Sequence, residues 1–394
     1  MAKPALVTAL VLSGGGARAA YQAGALRGIA AILGKRRKSP FPVISGTSAG
    51  AINAATLAIH ADEFRLGVAR LVRWWRRIGV DDVYRADFAT LSLHGARFLA
   101  SIVGVGSPPA DAASMLDSAP LGTMLERVLD FDRLDDHLKS GALSALAVNA
   151  TSYATGQAVT FFQGGADFLP WQRTRRRGER CRITHAHLMA SAAIPFIFPA
   201  MQVGEDFFMD GSVRQIAPLS PALHLEAQRI VVIAVGQFAG QTTVTPGPPQ
   251  YPSFAQVAGH ALSSIFLDNL GADLERMMQL NRIVGMVPKA RLAKRGVRLR
   301  NVDALVLAPG SDLGPLALRF ADRLPHAVRT LLHGFGSTRG TGANLLSYLL
   351  FDRGFCRALL DLGYNDTMAR KDEIAAFLDP ARTTFIPLYW PPTH

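Results

Sequence analysis

The sequence predicts a layered α/β fold with parallel strands. Three observations carry this expectation: an apolar run at residues 5–12 that feeds a glycine turn, a helical stretch directly after it, and a second strand–turn–helix unit beginning near residue 41. Strands that alternate with helices in this way are the signature of βαβ units and a parallel sheet.

Residues 5–12 read as a buried strand. A secretory signal fits them less well, because the run is short, carries only Lys3 and runs straight into Ser13-Gly14-Gly15-Gly16. Residues 17–33 read as a helix with small residues facing inward, closed by Lys35-Arg36-Arg37-Lys38, where cations suit the carbonyl end. Residues 41–44 form a short strand, and Ser45-Gly46-Thr47-Ser48-Ala49-Gly50 turns into a second helix reaching about His60. Residues 62–78 continue helical, with Trp74 and Trp75 among arginines, one ring expected in the core and the other exposed. Residues 81–118 are rich in Ser, Pro, Gly and Ala and read as an irregular segment, a candidate lid.

Further strands are expected at 142–149, 158–162 and 229–235, a short helix at 185–191, and a dense basic loop at 172–182. Thr245-Pro246-Gly247-Pro248-Pro249 marks the clearest linker. Beyond it come a long helical pattern at 253–284, one late strand at 302–307 and mostly helix to the end. The expected organisation is a core of residues 6–235 and a mostly helical C-terminal extension, 253–394, whose late strand joins the core sheet.

The 394 residues are 49% hydrophobic and 18% charged, enough to build a large core and too apolar for a disordered chain. Two cysteines, Cys181 and Cys356, cannot supply a disulfide framework and point to a reducing, cytoplasmic setting. The net charge of +12 favours anionic partners, whether nucleic acid, lipid headgroups or acidic proteins, and names none of them. No apolar stretch reaches the ~18 residues of a membrane-spanning helix, so a soluble or peripherally bound protein is expected.

Chemistry is suggested by three turns. Gly46-Thr47-Ser48-Ala49-Gly50 is a Gly-x-Ser-x-Gly turn between a strand and a helix, where a strained corner pushes the serine hydroxyl out and a helix N-terminus lies beneath it. Its flanking glycines let the backbone approach itself closely. Ser13-Gly14-Gly15-Gly16-Ala17-Arg18-Ala19 also joins strand to helix, and its amides can face a developing negative charge. Gly14-x-Gly16-x-x-Ala19 resembles a dinucleotide fingerprint, but the expected acidic ribose ligand some twenty residues on is replaced by the basic stretch 32–38. A Walker loop is excluded because no Gly-Lys-Ser/Thr follows. Met209-Asp210-Gly211-Ser212 emerges from Phe207 and Phe208, and by itself Asp-Gly reads first as an ordinary turn aspartate.

Taken together these turns resemble the patatin-like phospholipase family, which pairs a Gly-Gly-Gly-x-Arg loop with a Gly-x-Ser-x-Gly elbow and a distant Asp-Gly-Gly or Asp-Gly-Ala. The run from Ala190 through Ser191, Ile194 and Pro195 to Pro199 resembles the family's segment ahead of that aspartate, and the likeness extends over about residues 6–235. The resemblance implies a three-layer α/β/α sandwich with a central, largely parallel sheet. It implies Ser48 as nucleophile, Asp210 as base without an intervening histidine, and Gly15 and Gly16 as oxyanion donors with Arg18 supporting the loop or the charge. Gly14, Gly46, Gly50 and Gly211 would support these motifs. The implied activity is hydrolysis of phospholipids, lysophospholipids or related acyl lipids, with no metal or organic cofactor. A weakly active or inactive module that binds lipid or protein is the alternative. Ser212, where the family has Gly or Ala, and Ala19, where a glycine is commoner, depart from the pattern without touching a reacting group.

A histidine triad is the competing mechanism, since His185, His187, His224 and His260 all follow the serine. The basic run from Arg173 to Arg182 reads either as a solvated surface or as a contact for anionic lipid, centred on Arg175, Arg176 and Arg177. Nucleic acid is not expected there, because aromatic residues are not interleaved.

Overall fold

The computed structural model describes residues 6–85, 114–236, 269–295, 299–326, 328–329 and 343–382. The linker at 245–249, His260, most of the candidate lid and the first half of the long helical pattern lie outside the described residues.

The sheet is assembled around the first apolar run. Strand β1 (Thr8–Leu12) lies between β2 (Val43–Thr47) and β9 (Arg229–Ile233), and β10 (Asp303–Leu307) pairs with the far edge of β9, all in parallel. On the other side, β2 pairs in parallel with β3 (Ala145–Ser152), which pairs antiparallel with β4 (Ala158–Gly164). A hairpin of β5 (Trp171–Arg173) and β6 (Arg176–Arg180) extends this edge through β4. A second hairpin, β7 (Met201–Val203) and β8 (Asp206–Asp210), meets β3 through β8.

Helices cover both faces, as buried parallel strands require. Along β1, Leu10 and Leu12 point into one core while Ala9 and Val11 point into the other, and β9 repeats the split with Val231 and Ile233 against Ile230 and Val232. The first core lies under α1 (Ala20–Ile32), α2 (Ala49–Ala58) and α3 (Phe64–Arg77). Helices α4 (Ala119–Val128), α5 (Asp132–Ser140) and α6 (His185–Ala192) close its flank. The second core is covered by α7 (Ser220–His224) and α8 (Asn269–Met286). The result is a three-layer α/β/α sandwich with a largely parallel sheet.

After α9 (Lys289–Lys294) and α10 (Leu313–Leu318), helices α11 (Ala343–Leu349), α12 (Arg353–Ala369) and α13 (Lys371–Leu378) pack on the first core. Small residues bring α12 onto α1: a side chain on Gly24 would meet the Leu360 carbonyl oxygen at 2.1 Å, and one on Gly363 would meet that of Tyr21 at 2.2 Å.

Three expectations are corrected. The basic stretch 172–182 is a β-hairpin at the sheet edge rather than a loop, because strand pairing with β4 satisfies its backbone. The second strand begins later and runs up to the elbow, as Val43–Thr47. Trp75 is fully buried as expected of the core ring, but Trp74 is half-buried, its indole nitrogen donating to the Met124 sulfur at 3.1 Å.

Candidate active site

Ser48 sits where β2 leaves the sheet and α2 begins. Its backbone lies at φ 55° and ψ −133°, a region that a non-glycine residue rarely enters and that surrounding structure must enforce. The flanking glycines are sterically required. A Cβ on Gly46 would lie 2.4 Å from the Gly50 carbonyl oxygen, and one on Gly50 would lie 2.5 Å from those of Leu12 and Ser13. The second of these contacts shows the glycine loop and the elbow packed directly together. The Ser48 amide donates to Ser191 Oγ at 2.8 Å, and that hydroxyl donates to the Asn149 carbonyl at 2.6 Å.

Strand register brings Asp210 to the same place. Strand β2 ends with Thr47 opposite Asn149, and on the next residue of β3, Ala150 is opposite Asp210 at the end of β8. Strand β8 thus takes over the β3 edge where β2 turns away. Gly211 permits the approach, since a Cβ there would lie 2.2 Å from the Asn149 carbonyl oxygen. The Asp210 amide donates to the Ala193 carbonyl at 2.8 Å, and Oδ1 accepts from the Ser212 amide at 2.8 Å.

The Asp210 carboxyl is fully buried, and burial is the main cause pushing its pKa up to about 6; interactions with Ser48 and Ser212 work against that rise. The hydroxyls of Ser48 and Ser212 are near enough to ease ionisation, yet neither meets full hydrogen-bond geometry with Oδ2, which has no partner. Contacts that fall short of ideal geometry are common in catalytic pairs before substrate binds.

The glycine loop follows β1. Gly16 takes φ +53°, and a Cβ on it would lie 2.2 Å from the Tyr348 carbonyl oxygen; one on Gly15 would strike the Val235 side chain at 2.2 Å. Both positions therefore demand glycine. Arg18, 3% exposed, donates from Nε to Ser347 Oγ at 2.7 Å and lies over the Tyr348 ring at 4.3 Å. These contacts tie the loop to α11, a support that the residues around the loop do not announce.

Reading the sequence locally also missed a buried polar brace. Asn149 Nδ2 donates to the Gly46 carbonyl at 3.0 Å and Thr47 Oγ1 at 3.1 Å, while its Oδ1 accepts from Thr160 Oγ1 at 2.8 Å. Thr47 Oγ1 in turn donates to Gln215 Oε1 at 2.8 Å. The one available signal was an asparagine ending an apolar strand.

The described histidines bond elsewhere. His185 Nε2 meets the Leu129 carbonyl at 3.0 Å, His187 Nδ1 meets Thr184 Oγ1 at 2.9 Å, and His224 Nδ1 meets the Ser220 carbonyl at 2.8 Å. Arg175 is exposed, Arg176 lines a small cavity with Asn149 and Gly211, and Arg177 is paired with Glu179. Among the described residues no group of three or more His, Cys, Asp or Glu side chains forms a metal cluster. No helix among them is long and apolar enough to cross a membrane.

The sequence matches the family model of patatin-like phospholipase over residues 10–223, more than half of the 394. Among solved structures the chain is similar to VipD from Legionella pneumophila, with 12% identity and TM-score 0.35, covering 94% of this chain and 67% of that one. It is similar to human GIVD cytosolic phospholipase A2, solved in complex with methyl gamma-linolenyl fluorophosphonate, with 12% identity and TM-score 0.41, covering 95% of this chain and 58% of that one. A third similarity, to the heterodimeric ExoU–SpcU complex of the Pseudomonas aeruginosa type III secretion system, has 18% identity and TM-score 0.24 and covers 88% of this chain and 68% of that one. No curated protein matches the sequence with significance.

Proposed function

The chain belongs to the patatin-like phospholipase family, and from that premise we propose that it is a serine acyl hydrolase of phospholipids, lysophospholipids or related acyl lipids. The observation that carries the reading is the strand register: Thr47 opposite Asn149 and Asp210 opposite Ala150 seat a strained serine beside a buried carboxylate with one free oxygen.

In this reading Ser48 Oγ attacks the acyl carbonyl carbon while its proton passes to Asp210. The carbonyl oxygen gains the negative charge and is met by the Gly15 and Gly16 amides, donors fixed in place before reaction. The leaving alcohol departs with the proton held by Asp210, and the acyl group stays on Ser48. Water then attacks the acyl-enzyme and gives its proton to Asp210, which passes it to Ser48 Oγ as the fatty acid leaves, restoring both residues. A carboxyl titrating at about 6 suits this role, being ionised at neutral pH yet more basic than a solvated aspartate. Asn149 and Ser191 are assigned to positioning, since they hold the elbow without facing a substrate.

The test is hydrolysis of phospholipid and of a soluble ester by wild type and Ser48→Ala, together with labelling by a fluorophosphonate. Ser48→Ala is expected to keep the fold, lose labelling, and lose about 10⁴- to 10⁶-fold in turnover. Activity above a tenth of wild type in the variant would refute the nucleophile. Wild type that neither labels nor hydrolyses would make the chain a binding module instead.

A further inference from the structure

Among the described residues a concentration of charge lies on α3, away from the elbow. The helix carries Arg65, Arg70, Arg73, Arg76 and Arg77 and no acidic residue, and all five arginines are exposed. Its apolar side, with Phe64, Val68, Leu71 and Trp75, is already buried in the first core. The outward face is therefore almost purely cationic. Among the described residues Arg70, Arg73, Arg76 and Arg77 have no carboxylate partner.

Grooves with apolar floors flank this ridge. One, of about 590 Å³, lies between α3, α1 and α12; Arg76 and Arg357 are on its rim and Ala30, Val68 and Val72 on its floor. The other, of about 400 Å³, lies between α3, α2 and α4; Arg70 and Arg127 are on its rim and Ile52 and Met124 on its floor. Arg73 and Arg77 line both. In the second groove His60 is 2% exposed; its Nδ1 donates to the Thr56 carbonyl at 2.8 Å, leaving Nε2 as a buried acceptor without a protein partner.

We propose that this face of α3 is the surface by which the protein adsorbs to an anionic phospholipid bilayer, the two grooves seating headgroups against the arginine ridge. The inference rests on the acyl-lipid reading above, for which it supplies the surface where substrate is met. Charge complementarity is the first argument: exposed, unpaired guanidiniums are drawn to a negative leaflet, and arginine forks onto phosphate. Groove chemistry is the second. Apolar floors beneath cationic rims suit a glycerophosphate and the start of its chains. A nucleic acid would instead favour open aromatic platforms among the cations, whereas the two rings at the grooves are engaged: Trp74 is half-buried with its indole nitrogen donating to Met124, and the Tyr364 ring lies under Arg27. Because the apolar side of α3 is committed to the core, attachment is electrostatic adsorption without insertion of the helix.

The experiment uses the Ser48→Ala protein, so that binding is read without hydrolysis. It is sedimented with vesicles of phosphatidylglycerol or of phosphatidylcholine at about 0.1 M and about 1 M salt, over which the screening length falls from ~10 Å to ~3 Å. Binding to the anionic vesicles alone, lost at high salt, is expected. Replacing Arg73, Arg76 and Arg77 together with glutamine should lower that partition roughly 100-fold, from about 1 kcal/mol for each cation. Lysine at the same positions should retain most of it, and Arg70→Gln with Arg127→Gln on the other groove should cost roughly 30-fold. Circular dichroism and melting confirm that each variant is folded. Equal binding to phosphatidylcholine, undiminished binding by both glutamine variants, or lysine variants as weak as glutamine would overturn the proposal. So would displacement from vesicles by duplex DNA at equal phosphate, which would make α3 a nucleic-acid surface. A negative result here leaves Ser48 chemistry untouched, and a loss of that chemistry leaves this binding standing.

Discussion

The elbow end of the sheet and the outer face of α3 treat polar groups in opposite ways. Ser48 and Asp210 are 2% and 0% exposed; the Ser48 amide donates to Ser191, the Asp210 amide donates to Ala193, and the Asp210 carboxyl accepts from the Ser212 amide. On α3 the arginines are exposed, and Arg70, Arg73, Arg76 and Arg77 have no carboxylate partner among the described residues. The difference teaches where each of the two proposed functions would be carried. At the elbow, water is excluded, so a single carboxyl is shifted far from its ordinary value and one misplaced atom matters. On α3, solvent screens every charge, so effect comes from number and is graded.

The largest expected effect that sharpens this contrast is at the buried base. Asp210→Asn should lose turnover by orders of magnitude on soluble and vesicular esters alike, because an amide nitrogen cannot take the serine proton. Alanine at His185, His187, His224 or His260 should keep turnover within about tenfold, for a dyad has one base. Steady-state kinetics on folded variants decides the matter, and one histidine variant as damaged as Asp210→Asn would replace the dyad with a triad.

A second effect follows from the pKa of about 6. The base must be ionised, so kcat/KM should rise with pH through about 6 and level off above it; a limb near the ordinary aspartate value would mean that this carboxyl is not the titrating group. Stability should run the other way. The folded value lies above the ordinary 3.8, so the stabilising preference for the protonated form is present below 3.8 and is lost as pH rises through about 6. Two units or so correspond to roughly 3 kcal/mol. Asp210→Asn should therefore melt several degrees higher than wild type above pH ~7 and gain little in acid. An equal gain at both pH values would contradict a buried, ionised Asp210.

The smallest effect is expected at the hairpin. Arg177 is paired with Glu179, Arg182 meets Asp132 at 2.7 Å, and Arg180 donates to the Gly165 carbonyl at 2.7 Å. Of the three central arginines, Arg177 is paired and Arg176 lines a small cavity, so glutamine at Arg175, Arg176 and Arg177 should reduce vesicle binding less than tenfold, well under the loss on α3. A loss as large as the α3 triple variant's would break the comparison and return the lipid surface to the sheet edge.

Much of the fold was legible because its signals are local. The strand–glycine–helix units around Gly14 to Ala19 and Gly46 to Gly50 announce both turns within a few residues, and the late strand was visible as an apolar run before helices. Alternating strands and helices were enough to predict a layered α/β sandwich with a largely parallel sheet.

What only the tertiary structure decided depends on pairing between distant segments. A turn aspartate at 210 reads the same wherever its strand lies; antiparallel pairing of β8 with β3 brings it to Ser48. Asn149 looks like a flaw in an apolar strand until its amide is seen bracing Gly46 and Thr47. The arginines make the same point. The run at 173–182 and those on α3 look alike as text, but in the hairpin Arg177 and Arg182 meet carboxylates, while a helix with one buried face turns the second set outward together. Sequence determines which charges a segment carries, and folding determines which of them remain to be answered by something else.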